Sequence, residues 1–360
     1  MTLRLIFVRH GLSSFNKEGR IQGRSDLSTL TIEGQLQAKA AGKILSSIPI
    51  DAVYSSPLQR ASETTKIIVK QHQRKLNTTY TDDLLEVDLG TWSGLTKEEL
   101  KNLYPEKLKI WENEPKELSI EREDGTEFKP IKELLLQAEN FLEFLLNSYS
   151  DSNKTILIVA HNAILRCLIL RLIKEPSNGF RRLKLDNTSI SICNIEFNNL
   201  GKRQVQIQCL NNIAHLQPCL PNKGNKKRII LVRHGETDWN KQGRFQGQID
   251  IPLNQKGKEQ AKAASGFLKN ISIQKAFSSS LSRPRETAQI ILKEHPGIEI
   301  SLKDNLKEIG HGKWEGKLES EIKSDWPNLL KKWKTFPEEV QMPEGENIKE
   351  VSHEIHYRLE

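Results

Sequence analysis

The chain has 360 residues, of which 36% are hydrophobic and 28% charged, and its formal net charge is +8. This length exceeds one ordinary hydrophobic core and predicts two domains, while the apolar content excludes wholesale disorder. The positive charge suits an anionic ligand, although charge alone does not separate a small phosphate from a nucleic acid. The densest basic run, between Lys223 and Arg228, has no interleaved aromatic residues and is interpreted as a solvated linker.

No pattern of export, membrane insertion or metal binding stands out. The apolar start is too short for the core of a signal peptide. Residues 155–173 are long enough to cross a membrane, but His161, Arg166 and Arg171 would be costly in hydrocarbon. The cysteines match no zinc pattern and are expected to be reduced; they are Cys167, Cys193, Cys209 and Cys219. We therefore expect a cytoplasmic protein with no membrane, nucleic-acid or metal partner.

The predicted elements of the first half alternate between strands and helices. In chain order they are a strand at 5–8, a helix capped by Thr31 with the apolar face Leu36, Ala40, Ile44 and Ile48, a strand at 52–56, a helix at 60–70, a helix at 131–147, a strand at 155–160 and a helix at 163–173. This alternation predicts a three-layer α/β/α sandwich with a largely parallel sheet. Ligands of such sheets gather at the carboxyl ends of the strands.

The motifs of the first half recur in the second half at a nearly constant offset. His10 recurs as His234, an offset of 224, and Glu86 recurs as Glu308, an offset of 222. The other matched pairs are Arg9 and Arg233, Asn16 and Asn240, Gln22-Gly23 and Gln246-Gly247, and Arg60 and Arg283. The sequence therefore predicts two tandem copies of one domain, at 1–212 and 227–360, with a linker at 213–226.

A set of polar side chains follows the strands of the first copy. Arg9 and His10 come directly after the first strand, and His161 comes directly after the strand at 155–160. Arg60 opens a helix after another strand, and Glu86 precedes a Gly-rich turn. A single histidine after a strand is more often structural, but two imidazoles, two guanidinium groups and a carboxylate have complementary roles. We therefore predict a catalytic site at this edge of the sheet.

On these motifs the chain resembles the histidine phosphatase superfamily, the phosphoglycerate-mutase-like enzymes, over essentially all of the first copy and most of the second. The resemblance implies that His10 is phosphorylated, that Glu86 donates a proton, and that no cofactor is needed. The catalytic residues it implies are His10, Glu86, His161, Arg9, Arg60, His234 and Glu308. The phosphate- or substrate-binding residues it implies are Arg9, Asn16, Gln22, Gly23, Arg60 and His161, with Arg233, Asn240, Gln246, Gly247 and Arg283 in the second copy.

Each copy departs from the family pattern. In the first copy, Leu12, Ser93 and Asn162 stand where other residues are usual, which bears on substrate choice more than on activity. The second copy has no strand-end counterpart of His161, which by alignment would fall near position 378. Either the sequence is a fragment, which we favour, or this copy is an incomplete fold, and we expect it to fold poorly. We interpret His353 and His356 as surface residues of a helix. Residues 1–212 alone are expected to keep the activity of the chain.

Three functions are compatible with this pattern. Mutases of the family have Arg-His-Tyr-Gly after the acidic residue, whereas Glu86 is followed by Val-Asp-Leu-Gly, which favours hydrolysis. Mutase-type phosphoryl transfer and a non-catalytic module that binds a phospho-ligand or a protein are the alternatives. The expected partner is a small phosphorylated metabolite such as phosphoserine, a phosphoglycerate, a sugar phosphate or ribazole phosphate. Association into a homo-oligomer stays open.

Overall fold

The structure is a computed structural model. It describes residues 2–122, 124–150, 152–175, 177–197 and 203–351. The chain divides into two compact units, residues 1–224 and 225–360. His353 and His356, which we interpreted as surface residues, lie outside the described residues.

The first unit contains every element predicted for it, with ends shifted by a few residues. In chain order its strands and helices are β1 (Thr2–Arg9), α1 (Ser14–Glu18), α2 (Ile32–Leu45), β2 (Ala52–Ser55), α3 (Gln59–Lys70), β3 (Thr78–Tyr80), α4 (Lys97–Leu103), α5 (Pro105–Asn113), β4 (Ile120–Glu121), β5 (Glu127–Phe128), α6 (Pro130–Tyr149), β6 (Lys154–Ala160), α7 (Asn162–Leu172), β7 (Ile190–Phe197) and β8 (Arg203–Asn212). The segment considered as a membrane span is therefore the strand β6 followed by the helix α7.

One six-stranded sheet organises this unit, in the order β3-β2-β6-β1-β7-β8. The strands β1, β6, β2 and β3 are parallel, and β7 and β8 complete the sheet as antiparallel strands. The carboxyl ends of β1, β2 and β6 meet at one edge of the sheet. The residues that follow these ends are His10, Ser56 and His161, so the topology alone brings both imidazoles to that edge.

Helices cover both faces of the sheet, because successive side chains of a strand point to opposite sides. Leu5, Phe7 and Ile158 pack in one hydrophobic cluster with α6 and α7. Ile6 and Leu157 pack in a second cluster with α2 and α3. The predicted three-layer α/β/α sandwich with a largely parallel sheet is confirmed.

The apolar face predicted for α2 is wrong. Thr31 caps the helix as predicted, because its hydroxyl accepts a hydrogen bond from Gly34 N at 3.0 Å. However, Leu36 is 63% exposed and Ile44 is 52% exposed. The face that is buried consists mostly of small residues: Gly34, Ala38, Ala41, Gly42 and Leu45.

Close backbone approach explains why the small residues are the buried ones. A Cβ on Gly34 would overlap the carbonyl oxygen of Leu12, and a Cβ on Gly11 would overlap the carbonyl oxygen of Gly34. Farther along the helix, a Cβ on Gly42 would strike the side chain of Gln71 just after α3. The helix can lie this close to the His10 loop and to α3 only where side chains are absent or small.

The second unit is built from shorter elements. They are α8 (Asp238–Gln242), α9 (Gln255–Leu268), β9 (Ala276–Ser278), α10 (Ser282–Leu292), β10 (Ile300–Leu302), α11 (Glu319–Asp325) and α12 (Pro327–Thr335). The two strands pair with each other in parallel, as β2 and β3 do in the first unit. A small hydrophobic cluster around Trp314, Ile322 and Leu330 holds its end together.

The strand expected before His234 does not form. Residues 229–232, which match 5–8 of β1, have no strand structure, and Leu231 is 91% exposed. In the first unit, β1 is hydrogen-bonded to β6 on one side and to β7 on the other. Among the described residues of the second unit there is no counterpart of β6 or β7. An apolar segment without a partner for its backbone groups does not hold a strand.

The structure also bears on thiols, membranes and metals. Cys167, Cys193 and Cys209 are free thiols. Within the described part of the chain, no helix combines the length and apolar character that crossing a bilayer requires. In the same part of the chain, no three His, Cys, Asp or Glu side chains are grouped so that they could hold a metal ion.

Candidate active site

The first unit brings its two strand-end histidines together. The ring centroids of His10 and His161 are 5.1 Å apart, with the ring planes at 59°. Both side chains are buried. The backbone joins them as well, because His10 N donates to Ala160 O at 2.9 Å, just before His161. The pairing of β1 with β6 thus sets the separation of the imidazoles.

His10 has one ring nitrogen oriented by the backbone. Its Nδ1 lies 2.8 Å from Gly11 O. Since a carbonyl oxygen only accepts hydrogen bonds, Nδ1 must carry the proton and Nε2 must carry the lone pair. Burial lowers the pKa of His10 well below its ordinary value, and the positive charges of Arg60 and Arg9 lower it further. The ring is therefore neutral, with a nucleophilic nitrogen at the edge of the sheet.

His161 is held from one side only. Its Nε2 lies 2.8 Å from Ser56 Oγ, at the end of β2. Its Nδ1 is buried and has no hydrogen-bond partner among the described residues. Burial lowers the pKa of His161 well below its ordinary value, with further contributions from Arg60 and His10. This imidazole is also neutral.

Arg60 is fully buried in the first turn of α3. Its Nη1 donates to Ser25 O at 2.8 Å, and its Nη2 donates to Gly23 O at 2.9 Å. Its Nε has no partner among the described residues. Two loop carbonyls therefore fix the plane of the guanidinium group and leave its Nε–H, with one hydrogen on each Nη, for other acceptors. Gly23, predicted to bind phosphate, orients Arg60 through its carbonyl.

Arg9 is held by the loop that precedes β7. Its Nη1 donates to Leu185 O at 2.8 Å, and its Nη2 contacts Asn16 Oδ1 at 3.4 Å. Asn187, which we did not predict, donates from Nδ2 to His10 O at 2.9 Å and to Asn16 Oδ1 at 3.2 Å. The Nε of Arg9 is buried without a partner in the described residues. Asn16 and Asn187 thus tie Arg9 to the backbone of His10.

Glu86 is positioned by the helix that follows His161. Its side chain is buried, and its Oε1 accepts hydrogen bonds from Val87 N at 2.9 Å, Ala163 N at 3.0 Å and Ile164 N at 3.2 Å. Its Oε2 is 3.2 Å from Ala163 N. The carboxylate therefore caps the N-terminus of α7, where unpaired N–H groups and the helix dipole favour a negative charge. The cap places Glu86 next to both His161 and the site.

Other polar side chains hold the loop of His10 in shape. Ser13 Oγ donates to Gln22 Oε1 at 3.0 Å, and Gly11 N donates to Thr64 Oγ1 at 3.0 Å. Gln22, predicted to bind phosphate, thus acts on the loop through Ser13. The repeat could have identified three supporting residues that we missed, since Ser13, Ser56 and Thr64 recur as Thr237, Ser279 and Thr287. Asn187 has no counterpart in the second copy and no such signal.

Several buried nitrogens without partners lie on the groups around His10. They are Arg9 Nε, Arg60 Nε and His161 Nδ1, and Arg166 Nε lies one turn into α7. A buried donor without an acceptor is unfavourable by about 1–3 kcal/mol. Such a set of donors suits an anion with several acceptor oxygens, since each oxygen can accept from a different group.

The second unit keeps one half of this arrangement. His234 Nδ1 lies 2.7 Å from Gly235 O, as in the first unit. Arg283 is buried; its Nη2 donates to Gly247 O at 2.6 Å, and its Nε lies 3.3 Å from His234 Nε2. Asn240 Oδ1 lies 3.1 Å from Thr237 Oγ1. The local motif therefore reproduces the histidine loop and its buried arginine.

The other half of the arrangement is missing from the described residues of the second unit. No aromatic ring among residues 225–351 contacts His234. Arg233 and Glu308 are exposed, and the carboxylate of Glu308 accepts only from Ile309 N, at 3.1 Å. Gln246 lies 2.7 Å from Thr237 Oγ1 rather than at an assembled pocket. Of the residues predicted as a second set, His234 and Arg283 are therefore in contact, whereas Arg233 and Glu308 are exposed.

Comparison with known proteins agrees with this geometry. The chain is 29% identical over 375 residues to 2-carboxy-D-arabinitol-1-phosphatase of Triticum aestivum, with 95% of the chain and 73% of that protein covered. It is 35% identical over 133 residues to phosphoserine phosphatase 1 of Hydrogenobacter thermophilus, which covers 37% of the chain and 63% of that protein.

One solved structure is similar to the chain over a length close to that of the first unit. YhfR of Bacillus stearothermophilus is similar with a TM-score of 0.52 and 26% identity, and the match covers 59% of the chain and 98% of YhfR. Residues 5–209 and 229–359 both match the histidine phosphatase superfamily (branch 1). The chain therefore belongs to the histidine phosphatase superfamily, with one matching segment in each unit.

Proposed function

We propose that the first unit hydrolyses small phosphomonoesters through a phosphohistidine at His10. The observation that carries this proposal is the pair of neutral imidazoles 5.1 Å apart, with unpartnered donors of Arg9 and Arg60 beside them. Phosphoryl transfer needs little covalent chemistry from the protein. Catalysis therefore depends on positioning the phosphoryl group and on hydrogen-bond donors for its oxygens. The residues of the first unit supply both.

In the first step the lone pair of His10 Nε2 attacks phosphorus in line with the ester bond. The P–N bond forms as the P–O bond to the alcohol breaks, and the leaving oxygen takes a proton from Glu86, which has to enter this step as the carboxylic acid. Arg9, Arg60 and His161 Nδ1 donate to the three oxygens of the phosphoryl group. Oε2 of Glu86 has a single backbone contact, at 3.2 Å, so it is the oxygen that we assign to proton transfer.

In the second step water attacks the phosphoryl group on His10. Glu86, now a carboxylate, accepts a proton from that water as the new P–O bond forms. The P–N bond breaks, its electrons return to His10 Nε2, and inorganic phosphate leaves. One carboxyl group thus serves as acid and then as base, which splits one difficult displacement into two easier ones.

The names of the relatives support a metabolite-sized substrate. Phosphoserine and 2-carboxyarabinitol 1-phosphate, the substrates named for the bacterial and wheat proteins, are small phosphomonoesters that also contain a carboxylate. We therefore propose a small phosphorylated acid as the substrate class.

Trapping of the phosphoenzyme tests this proposal. The full chain is incubated with a labelled phosphomonoester, quenched, and assayed for protein-bound label that is stable to alkali and labile to acid. We expect the label in the wild type and in His234→Ala, and none in His10→Ala. Equal labelling of all three proteins would reject His10 as the phosphorylated residue.

Release of free phosphate distinguishes hydrolysis from mutase-type transfer. We expect inorganic phosphate to accumulate in step with the alcohol, with and without EDTA. Recovery of an isomerised phosphoester with little free phosphate would favour the mutase alternative. Binding of phosphate without labelling or turnover would instead indicate a non-catalytic module.

A further inference from the structure

We propose that Arg166 reads the substrate, by binding a carboxylate that the phosphomonoester carries next to its phosphate. This inference rests on the proposed function of the first unit and names the group that would select among phosphomonoesters. Arg166 lies on α7, the helix that begins at Asn162 directly after His161 and whose N-terminus holds Glu86. It therefore lies one turn beyond the backbone N–H groups that hold the proton donor.

Arg166 has no acceptor of its own. Its Nε is buried without a hydrogen-bond partner, and no hydrogen bond or ion pair joins its guanidinium group to any other described residue. Arg171, on the same helix, pairs with Glu139 at 3.3 Å. A buried N–H of a guanidinium group that lacks a hydrogen-bond acceptor is costly. The contrast indicates that the acceptor of Arg166 is a ligand.

The surrounding charges favour an anion at this position. Burial lowers the pKa of Arg166 to about 10, Glu86 acts in the opposite direction, and the positive charges of Arg181 and Arg9 lower the pKa further. Arg9 is thus close enough to Arg166 for their charges to interact. Since Arg9 is one of the two arginines assigned to phosphate, a ligand with two anionic groups could contact both arginines.

Aromatic rings fix the surroundings of Arg166. Its guanidinium carbon lies 5.2 Å from the ring centroid of Phe180, which is buried. Arg181 lies 4.7 Å over the ring of Trp111 and donates to Trp111 O. A guanidinium group beside an aromatic ring keeps its in-plane N–H groups for a planar acceptor. A carboxylate matches that fork with two parallel hydrogen bonds.

Asn162 adds a second contact of opposite character. Its Oδ1 is buried without a partner in the described residues, and residues four apart share one face of a helix. A ligand at Arg166 would therefore also meet an acceptor, which suits a hydroxyl or an ammonium group next to the carboxylate. Asn162 is also a position at which the chain departs from its family.

The competing explanation is that Arg166 only balances the charge of Glu86. In that case its loss would affect phosphoserine and phosphoethanolamine equally, because both release an alkyl alcohol that needs the same proton. A role in reading the substrate affects only those substrates that have the carboxylate. The two explanations therefore differ in a ratio between substrates, which does not depend on how much of the variant protein is active.

Phosphoserine and phosphoethanolamine provide that ratio, since they differ by the carboxylate alone. We expect the full chain to prefer phosphoserine. Arg166→Gln should lower the ratio of kcat/KM for phosphoserine to kcat/KM for phosphoethanolamine by roughly 10- to 100-fold, because hydrogen bonds between charged groups contribute about that much. The loss should appear mainly in KM. Arg166→Lys should recover part of the preference, because it keeps the charge without the fork. Arg171→Gln is the matched control and should leave the ratio unchanged.

The outcomes separate this inference from the function on which it rests. An unchanged ratio in Arg166→Gln, whatever the loss on an aryl phosphate, would overturn the role of Arg166 while hydrolysis stands. A wild type that hydrolyses none of the three esters would overturn the proposed function and the inference with it. A fall in the ratio that is specific to Arg166 would support both.

Discussion

The two copies of the histidine loop have nearly the same local geometry and different completeness. In both, the histidine Nδ1 faces the carbonyl of the next glycine, and a later helix, α3 or α10, supplies a buried arginine. Only in the first copy does the glutamate find backbone donors beyond its own neighbour. The comparison shows that the site has a local half, which the motif encodes, and a distant half.

The distant half comes from β6 and α7. Those elements supply His161, the N–H groups that hold Glu86, and the edge to which β1 pairs. Where the described residues have no counterpart of them, as in the second unit, the glutamate is exposed and the apolar segment before the histidine is unpaired. The motifs around the histidine therefore indicate only that its loop is present. They indicate an assembled site only where the later strand β6 and helix α7 are present too.

The largest expected difference between the copies is in turnover. His10→Ala should abolish phosphatase activity, since removal of a covalent nucleophile lowers kcat by about 10⁶-fold in a well-studied protease. His234→Ala, the matched control, should leave the rate of the full chain nearly unchanged. Steady-state release of phosphate measures both. Loss of activity in His234→Ala with retention in His10→Ala would assign the chemistry to the second unit.

A smaller difference is expected for the glutamates. Glu86→Gln should lower turnover on an alkyl phosphate by about 10²- to 10⁴-fold, the usual contribution of a general acid. An aryl phosphate, whose leaving group needs little protonation, should be affected far less. Glu308→Gln should change neither rate. Equal losses on alkyl and aryl esters would exclude Glu86 as the proton donor.

The apolar segments before the two histidines should contribute differently to the free energy of unfolding. Ile6 is completely buried and its counterpart Ile230 is 37% exposed. Ile6→Ala should lower the free energy of unfolding by about 2–5 kcal/mol, and Ile230→Ala should change it by only about 0.5 kcal/mol. Both changes in the free energy of unfolding can be measured by urea unfolding that is monitored through hydrogen exchange of peptides from each unit. Comparable losses would indicate that the second segment is also packed.

Acid should destabilise the first unit through its two buried imidazoles. The pKa values of His10 and His161 are well below ordinary, so both stay neutral in the fold while the unfolded chain binds protons below about pH 6.5. Stability is retained above that pH and falls below it, by up to about 1.4 kcal/mol per pH unit for each histidine. In urea unfolding at a series of pH values, the free energy of unfolding should depend less on pH in His161→Gln than in the wild type. Parallel curves would contradict the neutral His161.

The sequence predicted the alternation of elements and the residues that meet at His10, because those depend on hydrophobic period and on motifs written twice. It failed for the packing face of α2, since hydrophobicity favoured Leu36 and Ile44 whereas backbone approach at Gly34 decided the orientation. Asn187 and Arg166 were not predicted as site residues. Each is brought to the site by strands whose pairing spans most of the unit, and neither has a counterpart in the second copy.

The contact between Gly11 and Gly34 has a consequence for how this chain can change. Each glycine already lacks a side chain, so an addition at one position cannot be accommodated by a reduction at the other. The same interlock joins Gly235 and Gly257 in the second unit, where the remainder of the site is not assembled. A mutational scan for activity should therefore find Gly11 and Gly34 intolerant, whatever substrate is supplied, whereas Gly235 and Gly257 should matter only for the folding of the second unit. Divergence toward new substrates is expected at positions where the chain departs from the family pattern, such as Leu12 and Asn162.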